Sequence, residues 1–148
     1  MKRILLTLVA VALAVPFICA QNNMTTQQAA DLPMQARNFL TQYFPSTTIS
    51  HIKIENDILR SMKEYEVKLN DGTEIEFDTE GNWKEIDMKR QRIPDGIVPQ
   101  LISSHVVTTY PALYVTKIKK DRRGTEVELN NDLELKFNTK GRLIKIDD

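Results

Sequence analysis

The sequence predicts an α+β fold: a two-layer domain in which a tandem duplicated α-β-β-β-β unit builds one antiparallel sheet with two helices on one face. Three observations lead there. A stretch of strand-like alternation recurs sixty residues further on, a pair of prolines brackets a helical stripe in each half, and turn residues fall at matching places in both halves.

The recurrence is direct. Tyr65-Glu66-Val67-Lys68-Leu69-Asn70-Asp71-Gly72-Thr73-Glu74-Ile75-Glu76-Phe77 is answered by Thr125-Glu126-Val127-Glu128-Leu129-Asn130-Asn131-Asp132-Leu133-Glu134-Leu135-Lys136-Phe137. The match runs on through Thr79/Thr139, Gly81/Gly141, Ile86/Ile146 and Asp87/Asp147. Pro33 and Pro45 correspond to Pro99 and Pro111 at an offset of sixty-six, so six extra residues are expected in the first copy, around Asn56 to Lys63. Two copies are too few for a solenoid, and they are expected to close one shared core. The expected organisation is a single domain over 32–148, made of copies 32–87 and 98–148 joined by a linker over 88–97 and preceded by a polar segment over 21–31.

Each copy opens with a helix, expected over 33–44 and 99–110. Proline suits the first turn because its missing N–H would have had no helical partner there. Pro45 and Pro111 stop each helix, since proline cannot continue the hydrogen-bond ladder. Ala36, Phe39, Leu40 and Tyr43 form one apolar stripe, with Ile102, His105, Val106 and Thr109 as its counterpart. Period-two alternation follows. Tyr65, Val67, Leu69, Ile75 and Phe77 point one way in the first copy, and Val127, Leu129, Leu133, Leu135 and Phe137 in the second. Asp71-Gly72 and Glu80-Gly81 supply tight turns. With further strands over 50–55 and 115–119, four strands per copy and up to eight in all are expected. A sheet with one apolar face needs a covering layer, which the helices provide.

The first twenty residues read as an address. Lys2 and Arg3 precede an apolar run from Ile4 to Val15, Pro16 breaks it, and Ile18-Cys19-Ala20 offers a cleavage site. This is the order of a secretory signal peptide, and the run is too short to span a bilayer. Lipid attachment at Cys19 is the weaker alternative, because Phe17 and Ile18 stand where a lipoprotein signal places small residues. Cleavage after Ala20 removes the sole cysteine and, with Lys2 and Arg3, takes the formal charge from 0 to −2. A strongly basic nucleic-acid binder is thereby excluded. No disulfide is available, so the core alone holds the fold. No later stretch is long and apolar enough to cross a membrane. Localisation is expected to be periplasmic or secreted.

The order helix, proline, strand, then Tyr-Glu-Val-x-Leu-Asn-Asp-Gly-Thr-Glu-Ile-Glu-Phe-Asp-x-x-Gly-x-Trp-Lys-Glu resembles the PepSY-like, β-lactamase-inhibitor-like family of periplasmic proteins. The resemblance covers 32–148, and its most specific parts are 65–87 and 121–148. It implies export, commonly from Bacteroides-like bacteria, and a fold like that of the β-lactamase inhibitory protein with a duplicated helix-plus-four-strand unit. It implies no activity, since a fold does not carry function with it.

Catalytic readings find little support among the residues. Ser46, Ser50, Ser61, Ser103 and Ser104 sit in no glycine-flanked nucleophile elbow. His105 takes the core-face slot of Phe39, and His51 stands alone on its strand, which is a poor basis for a metal site. Asp71-Gly72 and Asp78-x-Glu80-Gly81 lack the ligand spacing of a twelve-residue calcium loop and read as turns. The basic runs Lys117, Lys119, Lys120, Arg122, Arg123 and Lys89, Arg90, Arg92 lack interleaved stacking aromatics and read as solvated loops. Glu66, Glu74, Glu76, Asp78, Glu126, Glu128 and Glu134 are expected on the wet face, paired across strands with Lys68, Lys136 and Lys145.

These features point to an exported, non-enzymatic binding module without cofactor or metal, acting on a protein or peptide of the cell envelope, with inhibition of a hydrolase as a narrower form. Its candidate contact residues are Trp83, Glu74, Glu76, Glu85, Leu143 and Lys145. Strict alternation from Ile86 puts Trp83 and Glu85 on the wet face, where Trp83 would be an interface anchor; a bulge would instead turn Trp83 over the edge of the core. A small-ligand or envelope-sensing site between the two copies is the alternative function, and it requires a pocket near 87–99.

Overall fold

The computed structural model describes residues 24–57 and 62–147. The expected signal peptide lies outside them, as do residues 58–61, within the stretch where the six extra residues are expected. A short strand β1 (Met24–Thr26) and a single 3-10 turn (Ala29–Asp31) lead into helix α1 (Met34–Tyr43). Strands β2 (Ile49–Asp57), β3 (Met62–Leu69), β4 (Glu74–Phe77) and β5 (Trp83–Asp87) follow, then helix α2 (Gln100–Thr109) and strands β6 (Val115–Asp121), β7 (Gly124–Leu129), β8 (Glu134–Asn138) and β9 (Leu143–Asp147). The order helix-plus-four-strands thus occurs twice. All strands join one antiparallel sheet in sequence order from β1 to β9. Among the described residues the sheet has nine strands, against the expectation of up to eight. The addition is β1, whose three residues are too few to show alternation and which earns its place only by pairing with Ile52, Lys53 and Ile54.

The helices begin and end where the prolines require. Pro33 and Pro99 stand immediately before the first helical residues with matching φ of −53°, and no side chain caps either start. At the far ends the Phe44 and Tyr110 N–H groups donate to the Leu40 and Val106 carbonyls before Pro45 and Pro111 stop the ladder. Ala36, Leu40, Ile102 and Val106 are buried against the sheet. Beneath them one level of the sheet pairs Ile52, Val67, Ile75, Ile86, Ile118, Val127 and Leu135 across successive strands, every one fully buried.

The 88–97 segment is more than a tether. Met88, Ile93 and Ile97 enter the core, and the Met88 and Ile93 N–H groups donate to the Thr116 and Val115 carbonyls at 3.0 and 2.9 Å. The turn before β5 is equally specified. Gly81 has φ +89°, and a Cβ there would meet the Ala36 nitrogen at 2.8 Å and the Pro33 Cβ at 2.9 Å. Helix α1 can therefore approach the sheet closely only because this residue has no side chain.

His105 occupies the expected slot. Phe39 lies edge-on to Phe77 at 5.8 Å and 79°, and His105 lies edge-on to Phe137 at 5.6 Å and 79°.

Candidate binding face

With the apolar side covered by helices, the opposite face of the sheet presents charged and polar side chains in two registered rows. One runs Lys53, Glu66, Glu76, Glu85, Lys119, Glu126, Lys136, Lys145. The other runs His51, Lys68, Glu74, Asp87, Lys117, Glu128, Glu134, Asp147. Period-two alternation on strands buried on one side forces this arrangement.

Most of these charges are mutually satisfied. Glu74 takes Lys68 and Lys89, both at 2.8 Å, and these hydrogen bonds hold its carboxyl down at about 2 against the cost of burial. Glu85 bridges the middle of the sheet, accepting from Lys117 at 2.7 Å and Lys119 at 2.6 Å. Burial pushes Glu85 up, yet the two lysines outweigh it and its carboxyl lies below the usual range. Lys136 gathers Glu126 at 3.2 Å and Asp147 at 3.3 Å, while Lys145 reaches Asp147 at 2.5 Å. Glu76 differs from these. Burial raises its carboxyl above the usual range, the adjacent Glu85 charge adds to the effect, and it has no ion-pair partner among the described residues.

Of the candidate contact residues, Glu74, Glu76, Glu85 and Lys145 share this face. Trp83 and Leu143 do not, contrary to strict alternation. Phe77 pairs with Trp83 while Glu76 pairs with Glu85, so Trp83 and Lys84 together oppose one position of β4. The same irregularity sets Leu143 and Ile144 against β8, where Phe137 pairs with Leu143 and Lys136 with Lys145. A bulge of this kind reverses the facing of whatever precedes it. Trp83 accordingly packs against the core on the helix side, 6.5 Å from the Phe39 ring, with the Lys120 ammonium 3.7 Å above its indole. Burial lowers the Lys120 pKa. Asp78 also leaves the wet face: its Oδ1 accepts from the Glu80 and Asn82 N–H groups and holds the turn, as Asn138 does for Lys140 and Arg142.

The bulge has a second effect that alternation did not foresee. It puts Ile144 on the charged face, 63% exposed. Ile144 lines a shallow groove of about 420 Å³ with Lys119, Arg123, Glu126 and Lys136 at the β6–β9 end of the sheet. The signal was present in the sequence: Trp83 and Leu143 stand three residues before Ile86 and Ile146, an odd spacing that period-two alternation cannot place on one face.

A smaller recess of about 230 Å³ lies beside the 88–97 segment, between Arg92, Pro94, Val98, Val107 and Tyr114, with the Arg92 guanidinium 4.9 Å over the Tyr114 ring. Among the described residues no three His, Asp or Glu side chains are placed to hold a metal ion, and no helix is long and apolar enough to cross a membrane.

Comparison with known proteins places this architecture. A "putative periplasmic protein of unknown function" from Bacteroides vulgatus is 36% identical, matches over 85% of this chain and 99% of its own, and superposes with a TM-score of 0.80. A second "putative periplasmic protein" of that organism, from the DUF2874 family, is 33% identical over 87% of this chain and 99% of its own, with a TM-score of 0.81. A "putative calcium-regulated periplasmic protein" from Bacteroides thetaiotaomicron is 39% identical over 85% of this chain and 97% of its own, with a TM-score of 0.80. No curated protein matches the chain. The family model described as "Putative beta-lactamase-inhibitor-like, PepSY-like" matches residues 63–145, and the chain belongs to that PepSY-like family.

Proposed function

We propose that the protein is an exported, non-enzymatic binding module of the periplasm, built as a tandem duplicate over 32–148, that engages an envelope protein or peptide through the open face of its sheet. The observation that carries this reading is the groove around Ile144. There a large apolar side chain on the charged face stands 63% exposed among ionic groups that line a groove. An apolar anchor ringed by charged hydrogen-bonding groups is the usual anatomy of a protein-binding patch. Lys145 adjoins Ile144 on β9, Glu74 and Glu85 add fixed charges further along the same face on β4 and β5, and Glu76 offers a carboxylate with no ion-pair partner among the described residues.

The test is capture from periplasmic extract on immobilised protein, compared with an Ile144→Asp, Glu76→Lys variant of equal thermal stability. Proteins retained by the wild type and lost by the variant support the reading. An identical set on both refutes it. Inhibition of a hydrolase is the narrower form, and it requires that a captured hydrolase lose activity in proportion to added protein.

The recess beside the 88–97 segment favours a second reading, a small ligand held next to the junction of the two copies. Arg92 over Tyr114 would supply the polar contact. Thermal-shift screening of metabolites, with Ca²⁺ included because of the calcium-regulated relative, tests it. A stabilising compound whose effect survives Arg92→Ala and Val107→Asp would count against this location.

A further inference from the structure

We propose that β9 is a docking edge for a second copy of this chain, which pairs antiparallel with its own counterpart about a twofold axis through Ile146. The level of buried residues that crosses the sheet from Ile52 ends at Ile146, on the outermost strand. Its other members, among them Ile86, Ile118 and Leu135, are 0% exposed, whereas Ile146 is 48% exposed. The difference arises because no strand lies beyond β9 among the described residues.

The chain itself displays what completes such an edge. Ile86, at the place corresponding to Ile146, is covered because β6 lies alongside β5 and pairs Ile86 with Ile118. On the open face the same junction sets Glu85 opposite Lys119 and Asp87 opposite Lys117, and Glu85 accepts from both lysines. Strand β9 carries equivalent ingredients within itself: Ile146 toward the helices, with Lys145 and Asp147 on either side of it toward the charged face.

Facing residues in an antiparallel pair point to the same side of the sheet, so a symmetric pairing must match like-facing positions. The bulge at Leu143 and Ile144 confines regular pairing to the residues that follow. Three centres then remain. Centring on Lys145 would put it directly opposite the partner subunit's Lys145, and centring on Asp147 would do the same with the two aspartates; like charges placed so are destabilising. Centring on Ile146 stacks it on the partner subunit's Ile146 and sets Lys145 opposite the partner subunit's Asp147, twice over by symmetry. Charge selects the register centred on Ile146. The result is a closed, self-complementary dimer with one continuous sheet, in which the two Ile144 grooves flank the axis on the same face.

Two measurements test this independently of any envelope partner. Sedimentation across a wide concentration range is expected to show reversible dimerisation that Ile146→Lys abolishes. In protein carrying Cys19→Ser, so that an introduced thiol is the only one, Ile146→Cys is expected to form an intersubunit disulfide under mild oxidation, because facing strand positions meet the required Cα separation. Lys145→Cys is expected to cross-link at least tenfold more slowly. A chain that stays monomeric at every concentration overturns the proposal, as does cross-linking that is faster at Lys145→Cys than at Ile146→Cys. If Ile146→Lys fails to fold, the cysteine pair still decides.

Discussion

His105 gives the sharpest test of how the two halves are packed. Its ring repeats the placement of Phe39 almost to the degree, edge-on to Phe137 as Phe39 is to Phe77. The difference is chemical. Nε2 of His105 is buried with no hydrogen-bond partner, and a buried polar atom left unpaired costs about 1–3 kcal/mol. His105→Phe removes that cost and puts an apolar ring in a site whose counterpart already accepts one. The gain should be about 1–2 kcal/mol, less than the full penalty because the larger ring needs some local adjustment. For a domain of this size that is a rise in Tm of roughly 4–8 °C. Phe39→His is the reciprocal control and should lower Tm, since it buries a polar atom beside Phe77 and Trp83. Calorimetry or circular dichroism melts at neutral pH read both. An unchanged or lower Tm for His105→Phe would refute the reasoning, because it would mean that Nε2 is solvated or bonded, or that the two slots differ in volume.

Gly72 and Gly81 share φ +89°, but a Cβ at Gly72 meets nothing within 4 Å while one at Gly81 strikes Ala36 and Pro33. Gly72→Ala should therefore cost only the left-handed backbone penalty of about 1–2 kcal/mol, and Gly81→Ala about 1–3 kcal/mol more for overpacking, read as the difference between two urea midpoints. Thr73 is fully buried with its Oγ1 unpaired, so Thr73→Val should raise stability by about 1 kcal/mol in the same denaturation assay; a loss would indicate an unseen hydrogen bond. Glu74 is held at about 2, below its unfolded value, so the stability it contributes is present above the unfolded carboxylate pKa and lost as pH falls toward 2. Glu76 has the opposite sign: its raised pKa favours the protonated fold at low pH and costs stability as pH rises through it. Melts from pH 2 to 7 should accordingly show Glu74→Gln flattening the acid limb, and Glu76→Gln raising Tm at neutral pH with a gain that fades in acid.

What could be read from the residues alone was set by local rules. Proline is accepted at a helix start and stops the ladder at its end, Gly81 must hold a positive φ in any fold that keeps its turn, and alternation in Tyr65–Phe77 and Thr125–Phe137 requires one dry and one charged face. These constraints act within a few residues, so helix limits, most strand limits, the layer order and the His105 slot were all legible. The facing of Trp83 and Leu143 was not. It turns on one extra residue in β5 and in β9, and whether a bulge forms depends on how the neighbouring strand pairs. The placement of β1, the burial of Met88, Ile93 and Ile97, and the exposure of Ile144 and Ile146 likewise belong to the tertiary structure. Each depends on which strand or segment lies alongside, and chain neighbours do not encode an edge. Alternation tells a side chain which face to take, but only the assembled sheet decides whether anything covers it.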